Sequence, residues 1–201
     1  IIDGDINVKN FKELFVYLLE RCNFETDLFI FSNISQDTLD YTGPKVNEGS
    51  KMLLMGVGEV KRKLPHTFNE PLPDKTYSSE VFCPGVLIVE GTPYQKDCCL
   101  PNALATHPSL KNWPIIFLVD KNCNIKQNTG KFLWTAFTRF EPANDIYASK
   151  SNCIRHHNCL TPPIVVDCRM KPWYTEELFV DPETAEKVED RKSTRLNSSH
   201  L

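Results

Sequence analysis

Several groups of polar residues have the types and spacing to do chemistry. Asp3-Gly4-Asp5 sets two carboxylates one residue apart after the apolar Ile1-Ile2. Such a pair can hold a hard cation through oxygen, and in glycosyltransferases a D-x-D holds a metal and a sugar nucleotide; the same residues also read as a solvated strand-to-helix turn. Cys153-x-x-His156-His157-x-Cys159 offers soft ligands at a spacing compatible with zinc. A structural zinc site usually pairs C-x-x-C elements, and the place of this cluster before Thr161-Pro162-Pro163 also reads as a surface connection between strands. Lys51, after Gly49-Ser50, is either a point charge for a phosphate or acidic substrate or a solvated loop lysine. Arg139 ends an apolar helical pattern, where a cation complements the helix dipole, and is expected to pair with Asp145 or Glu141. Trp134 shares a helix face with Leu133 and Phe137 and is expected in the core. The eight glycines are scattered and form no G-x-G-x-x-G or G-K-[ST] turn.

The elements that must position these residues follow from the apolar pattern. Phe11 to Cys22 repeats apolar residues at helical spacing. Leu28–Phe31, Met52–Val57, Val86–Val89, Ile115–Val119 and Ile164–Val166 read as buried strands. Asn128 or Thr129 is placed to cap a helix running to about Thr138. Asp181-Pro182 opens a terminal helix with Pro at its first position. Asp40–Ser50 is a loop rich in Gly, Pro and Asn, and Lys61–Ser79, with its prolines, is expected to be a surface excursion. Strands that alternate with helices as near-continuous apolar runs predict an α/β fold: a three-layer domain with a mainly parallel sheet.

Composition excludes some classes. Apolar residues make up 41% of 201 residues, and the net charge is −3. No basic footprint for nucleic acid is present. The longest apolar runs fall far short of the roughly 20 residues that span a bilayer. The eight cysteines include several inside apolar runs, such as Cys83 and Cys168, where a thiol behaves as a small hydrophobe. Without a secretory signal this predicts free thiols and a cytoplasmic location. The chain opens on Ile1-Ile2-Asp3 with neither Met nor leader, as if in mid-fold.

The sequence also repeats itself. Asn7-Val8-Lys9 parallels Asn124-Ile125-Lys126, Arg21 parallels Arg139, and Asp27 parallels Asp145. Each copy reads strand, acidic turn, amphipathic helix, Arg, Asp, strand. The copies are expected over about 1–58 and 113–173 of a domain covering 1–189, with a linker or insert at about 59–85. The two units should superpose with their helices buried against a parallel sheet.

Phe132 to Ile146 reads FLWTAFTRFEPANDI. This resembles the W-A-x-x-T-R-x-x-P-x-x-D signature of the UbiD family, decarboxylases that use prenylated flavin. Asp3-Gly4-Asp5-Ile6-Asn7, Asp37-Thr38-Leu39-Asp40-Tyr41 and Gly49-Ser50-Lys51-Met52 are similar to that family's D-D-D-[IV]-[DN], D-x-L-D-[FY] and G-S-K-M segments. Asp167-Cys168-Arg169 with Lys171-Pro172-Trp173 resembles its D-A-T-x-K-P-W. Val16 stands where the first copy would carry the tryptophan, and Met55-Gly56-Val57 replaces its D-A-T. Asp181-Pro182-Glu183-Thr184 suits the family's closing helix.

The resemblance implies the C-terminal region of a carboxy-lyase acting on an aromatic or α,β-unsaturated carboxylic acid. The full-length enzyme would use prenylated FMN with a divalent metal, both held by a central flavin-binding domain upstream in the same chain. This region would carry no catalytic, cofactor-binding or metal residue of its own. It would cover the active site, support a homo-oligomer, and line the substrate pocket through Asp37 and Leu39, a segment that reads equally well as an exposed Asx turn. Two alternatives stay open: a non-catalytic α/β scaffold, and a nucleotide-sugar enzyme using Asp3 and Asp5. Asp190–His200, DRKSTRLNSSH, resembles a translated sequencing adaptor, so Asp190–Leu201 is set apart as an artefactual tail.

Overall fold

A computed structural model describes residues 1–121, 128–175 and 181–189. The Asn124-Ile125-Lys126 match, Cys123 and the adaptor-like tail lie outside the described residues. The elements in chain order are α1 (Phe11–Arg21), β1 (Leu28–Ser35), β2 (Glu48–Leu54), β3 (Thr76–Cys83), β4 (Val86–Gly91), α2 (Leu100–Thr106), β5 (Ile115–Asp120), α3 (Thr129–Phe137), β6 (Ile146–Ile154) and β7 (His157–Asp167). A helix over 182–189 follows, where Asp181 caps by accepting from the Thr184 amide at 3.0 Å.

Local chemistry sets the helix starts. The Asn10 side chain accepts from the Glu13 amide, and the Asn128 side chain accepts from the Gly130 and Lys131 amides. Each satisfies amide groups that an opening helical turn leaves without partners. Between β3 and β4 the chain reverses through Gly85, whose φ is +80°. A Cβ there would also meet Leu64 Cδ2 at 2.9 Å, so both conformation and space ask for glycine.

The main sheet has the order β3-β4-β5-β7-β6, beside a separate β1-β2 hairpin. Strands β4, β5 and β7 run parallel, while β3 and β6 flank them antiparallel. The fold is therefore α/β, but the sheet is mixed rather than mainly parallel. Alternation on the central strands splits the core in two. Ile88, Phe117 and Val166 face Phe15, Leu19 and Phe132 of α1 and α3, whereas Leu87, Leu118 and Val165 face Leu100 and Leu104 of α2. The sheet thus lies between two layers of helices.

Each helix was expected to return the chain to a parallel strand. Instead α3 is followed by β6, which runs antiparallel to β7. Ile146 opens β6 opposite Val166, at the end of the sheet where Leu118 of β5 pairs with Asp167. The helix and its turns bring the chain back to the end it left, so the next strand must run the other way. The second arm of that hairpin, β7, is the strand that runs parallel to β5 on that side. The first unit has the same order: α1, then β1 antiparallel to β2, then a parallel bridge between Ile2 and Gly56.

The hydrogen bonds correspond as well. Asp27 donates its amide to Asn23 O at 2.7 Å, and Asp145 to Glu141 O at 2.8 Å. The Met55 amide donates to Asp27 O and the Asp167 amide to Asp145 O, both at 2.9 Å. Gly56 donates to Ile1 O at 2.9 Å, and Cys168 to Leu118 O at 2.8 Å.

Several sequence expectations fail locally. Part of the expected excursion, from Thr76, is the edge strand β3. Leu28–Phe31 is buried only at Leu28, because β1 lies outside the main sheet. Trp134 is 72% exposed and Phe137 50%, while Phe132 and Ala136 face the core. The α3 stripe is rotated so that Phe132 stacks on Phe82 at 4.1 Å. In α1 the stripe holds best at Phe15 and Leu19, which are buried.

Candidate functional site

In α/β sheets, ligand sites form beyond the carboxyl ends of the parallel strands. At that end of β5 and β7 lies a buried network of charges. Asp167 ends β7 and grips Arg169: Nε donates to Oδ1 at 2.8 Å and Nη2 to Oδ2 at 2.7 Å, with both side chains fully buried. Arg169 Nη1 also donates to the carbonyls of Thr92 and Asp97, each at 2.8 Å. Lys171 Nζ donates to Asp167 O at 2.6 Å and Arg139 O at 2.7 Å, and pairs with Asp145 Oδ2 at 3.0 Å. All three ammonium hydrogens have acceptors. Buried charges persist when they are matched in this way.

Arg139, expected on Asp145 or Glu141, pairs with Asp120 at 3.7 Å; Lys171 meets Asp145. The cause is position: Arg139 follows α3 and stands over the end of β5. Burial pushes the Asp120 carboxyl above its ordinary value, opposed by the Met170 amide and Arg139. Burial does the same to Asp145 against the pull of Lys171.

Beside this network opens a cavity of about 430 Å³. One wall is the loop carrying Asp40, Tyr41 and Lys45, and the other is Glu141 with Trp173 and Tyr174. Tyr41 and Tyr174 meet edge to face at 5.6 Å. Ser50 joins the walls from beneath: its Oγ donates to Glu141 Oε1 at 3.0 Å and accepts from the Ala143 amide at 2.9 Å. Asn144 donates to the other Glu141 oxygen. The cavity therefore presents aromatic edges and carboxylates, closed below by hydrogen bonds between β2 and the turn before β6.

The residues singled out from sequence separate into two groups. Asp37 forms an Asx turn, accepting from the Leu39 amide at 2.9 Å, and Leu39 is 86% exposed. Their neighbours Thr38, Asp40 and Tyr41 line the cavity, whereas these two do not. Lys51 is exposed within β2, opposite Phe31, rather than in a loop. Asp3 lies in the first unit with both oxygens engaged, by the Gly58 amide and the Tyr17 hydroxyl, each at 2.8 Å. Those two donors hold its carboxyl below the ordinary range.

Cys153 lies near the end of β6, His156 sits in the β6–β7 turn with positive φ there and at Arg155, and His157 and Cys159 lie at the start of β7. Asn152 sits opposite Cys159, so Cys153 points to the other face of the ribbon from Cys159. Cys153 is accordingly exposed and Cys159 buried. Among the described residues no group of three or more His, Cys, Asp or Glu is placed to hold a metal.

Sequence reasoning missed the roles of Ser50, Arg169 and Lys171. All three sit in the quoted G-S-K-M and D-C-R-x-K-P-W segments, so the motif was visible while its buried acceptors were not. The two buried cations beside the cavity donate to protein acceptors, and neither is left to hold a flavin phosphate.

Three comparisons show what the chain is similar to. The model of the 3-octaprenyl-4-hydroxybenzoate carboxy-lyase C-terminal domain matches residues 1–56. The chain is 39% identical to a 4-hydroxybenzoate decarboxylase subunit of Chlamydia pneumoniae over 191 residues, 95% of this chain and 32% of that protein. An uncharacterized protein of Chlamydia caviae is 41% identical over 192 residues, again 95% of this chain and 32% of the relative. The chain thus spans about a third of the length of the curated relatives it matches. Among solved structures, the open form of Sedimentibacter hydroxybenzoicus vanillic acid decarboxylase aligns with a TM-score of 0.34 and 20% identity, covering 56% of this chain and 28% of that one. Residues 1–56 thus match the C-terminal domain of the UbiD carboxy-lyases, and nearly the whole chain is similar to part of a 4-hydroxybenzoate decarboxylase subunit.

Proposed function

We propose that this chain is the C-terminal, largely non-catalytic part of a UbiD-like decarboxylase. The enzyme acts on an aromatic or α,β-unsaturated carboxylic acid in the cytoplasm. The observation that carries the reading is the 39% identity, over 95% of the chain, to a protein named as part of a 4-hydroxybenzoate decarboxylase. The saturated Asp167–Arg169 and Lys171 network supports a positioning role, because its donors are spent inside the fold. Prenylated FMN and a divalent metal belong to the upstream domain of the same chain, where the flavin supplies the electron sink for decarboxylation. The residues here cover that site, keep water out, and support a homo-oligomer. The loop through Asp37 and Leu39 borders the substrate. Fragment 1–201 alone is inactive in this reading.

We also infer that the region arose by doubling one strand–helix–hairpin unit. The matched hydrogen bonds around Asp27 and Asp145 support this. A pure scaffold is the second reading, favoured by the internal satisfaction of Arg169. The nucleotide-sugar reading loses its footing, since Asp3 is committed to Gly58 and Tyr17.

The test is truncation of the full-length enzyme just before this region, followed by reconstitution with prenylated FMN. Flavin content should be retained while release of carbon dioxide from aromatic acids falls sharply. Full activity in the truncated enzyme would overturn the covering role and leave the scaffold.

A further inference from the structure

Among the described residues, Cys98 and Cys99 are exposed thiols that lie side by side. Cys22, Cys83, Cys159 and Cys168 are buried, and burial pushes the Cys83 thiol up to about 12, which keeps it unreactive. Cys98 and Cys99 are both exposed, with their sulfurs 3.9 Å apart. The Cys98 sulfur, hydrogen-bonded beside it, holds the Cys99 thiol above its ordinary value.

The pair sits on a short turn that is tied to the buried charge network. Asp97 Oδ1 accepts from the Cys99 amide at 3.0 Å, and Asp97 Oδ2 accepts from Lys75 at 2.8 Å. The Asp97 carbonyl is one of the two that clamp Arg169 Nη1. Tyr94, at the start of the same turn, lies under the Arg169 guanidinium at 5.3 Å and meets Trp173 at 5.5 Å. Cys98 and Cys99 thus follow directly on the residue whose carbonyl holds Arg169.

We propose that Cys98 and Cys99 form a reversible redox dithiol whose closure loosens the Asp97 clamp on Arg169. The co-reactant is a low-molecular-weight disulfide. The Cys98 thiolate attacks one of its sulfurs, releasing one thiol and leaving a mixed disulfide on Cys98. The Cys99 thiolate then attacks Cys98 Sγ and expels the second thiol. One protein disulfide forms, one small disulfide is reduced to two thiols, and the two cysteine protons pass to those thiols. Neighbouring Cα atoms lie about 3.8 Å apart, closer than the roughly 4.4–6.8 Å of ordinary disulfides. The closed form is strained and easily reduced, which suits a switch and not a structural cross-link.

The test is incubation of the 201-residue chain with oxidised and reduced glutathione, then alkylation in denaturant and peptide mass mapping. The closed chain should be lighter by two hydrogen atoms, with Cys98 and Cys99 both refusing the alkylating agent, and dithiothreitol should restore them. Cys98→Ser and Cys99→Ser should each carry a single glutathione on the remaining thiol and never close. Amides from Asp97 to Ala103 should exchange about tenfold faster in the closed form than in the reduced one. Separate glutathione adducts on both cysteines, an interchain dimer, or two open thiols under conditions that cap Cys153 would overturn the dithiol. Closure with unchanged exchange at these amides would overturn its coupling to Arg169.

Discussion

The helix–hairpin segments built on α1 and on α3 place similar Asp–Lys contacts in two environments. In the first, Asp3 accepts from the Gly58 amide at 2.8 Å and Asp27 pairs with Lys61 at 3.3 Å. In the second, Asp120 accepts from the Met170 amide at 2.7 Å and Asp145 pairs with Lys171 at 3.0 Å. The Lys61 side chain is 44% exposed, whereas that of Lys171 is fully buried. Connectivity is shared; solvent access is not. The second unit lies within a five-stranded sheet with a helix layer on each face, and the first stands beside that sheet. The same contacts are thus a weak surface pair in one unit and an obligatory internal match in the other.

The largest effect should come from removing the buried cation. Lys171→Met leaves Asp145 and two carbonyls without their donor and should cost about 3–5 kcal/mol. Lys61→Met should cost only about 0–1 kcal/mol. Urea denaturation of both variants measures the difference, and equal costs would mean that burial does not separate the two units.

Ser50→Ala tests the link beneath the cavity. It removes the hydroxyl that serves both Glu141 and the Ala143 amide, so a loss of about 1–3 kcal/mol is expected. Thr26→Ala, which removes a donor to Asp27 in the exposed network, should lose less than half as much. Thermal melts of the pair decide this.

The pH response should separate the units by sign. Burial pushes Asp27 up, but the Asn23 amide, Thr26 and Lys61 outweigh it and hold the carboxyl below 3.8. Asp3 is held low too. Their contribution is complete above the unfolded value of about 3.9 and fades as pH falls through the lowered folded values. Asp120 and Asp145 are raised, so their contribution is present below the unfolded value and fades as pH rises through the folded values. Carboxyl NMR titration should find Asp3 and Asp27 titrating below Asp120 and Asp145. As the solution is acidified, amide protection near Asn23–Asp27 should weaken while that near Glu141–Asp145 holds. The reverse order would remove the contrast.

The smallest effect is expected at Trp134. Because it is 72% exposed, Trp134→Gln should change stability by no more than about 0.5 kcal/mol. A loss of several kcal/mol in a denaturant melt would return this residue to the core.

Much of the architecture was legible because periodicity survives in single elements. The α1 stripe, the Asn128 cap and the runs Val86–Val89 and Ile115–Val119 mark their elements directly. Three elements were not legible. β6 (Ile146–Ile154) is mostly polar and lies at a sheet edge, so it lacks the apolar run that marks a central strand. β3 is an edge strand of similar character. α2 is only seven residues long and opens on Leu100-Pro101 after two cysteines, which gives too short a pattern to read. At the candidate site, the sequence placed Asp37–Tyr41, Gly49–Met52 and Asp167–Trp173 in one family pattern. It did not reveal that Ser50 reaches Glu141 or that Arg169 closes on Thr92 and Asp97, contacts between residues far apart in the chain.

The sequence by itself determined the α/β class, the cap at Asn128, the Arg-to-Asp spacing after α1 and α3 and the family resemblance, because each rests on residues close together in the chain. Tertiary structure alone decided the mixed strand directions, the exposure of Trp134, the pairing of Arg139 with Asp120, and which of the two Asp–Lys pairs is buried. These depend on which elements meet across the sheet and on how much water is left between them. Burial is a property of the assembled layers, and one spacing can serve at a wet surface or in a dry interior.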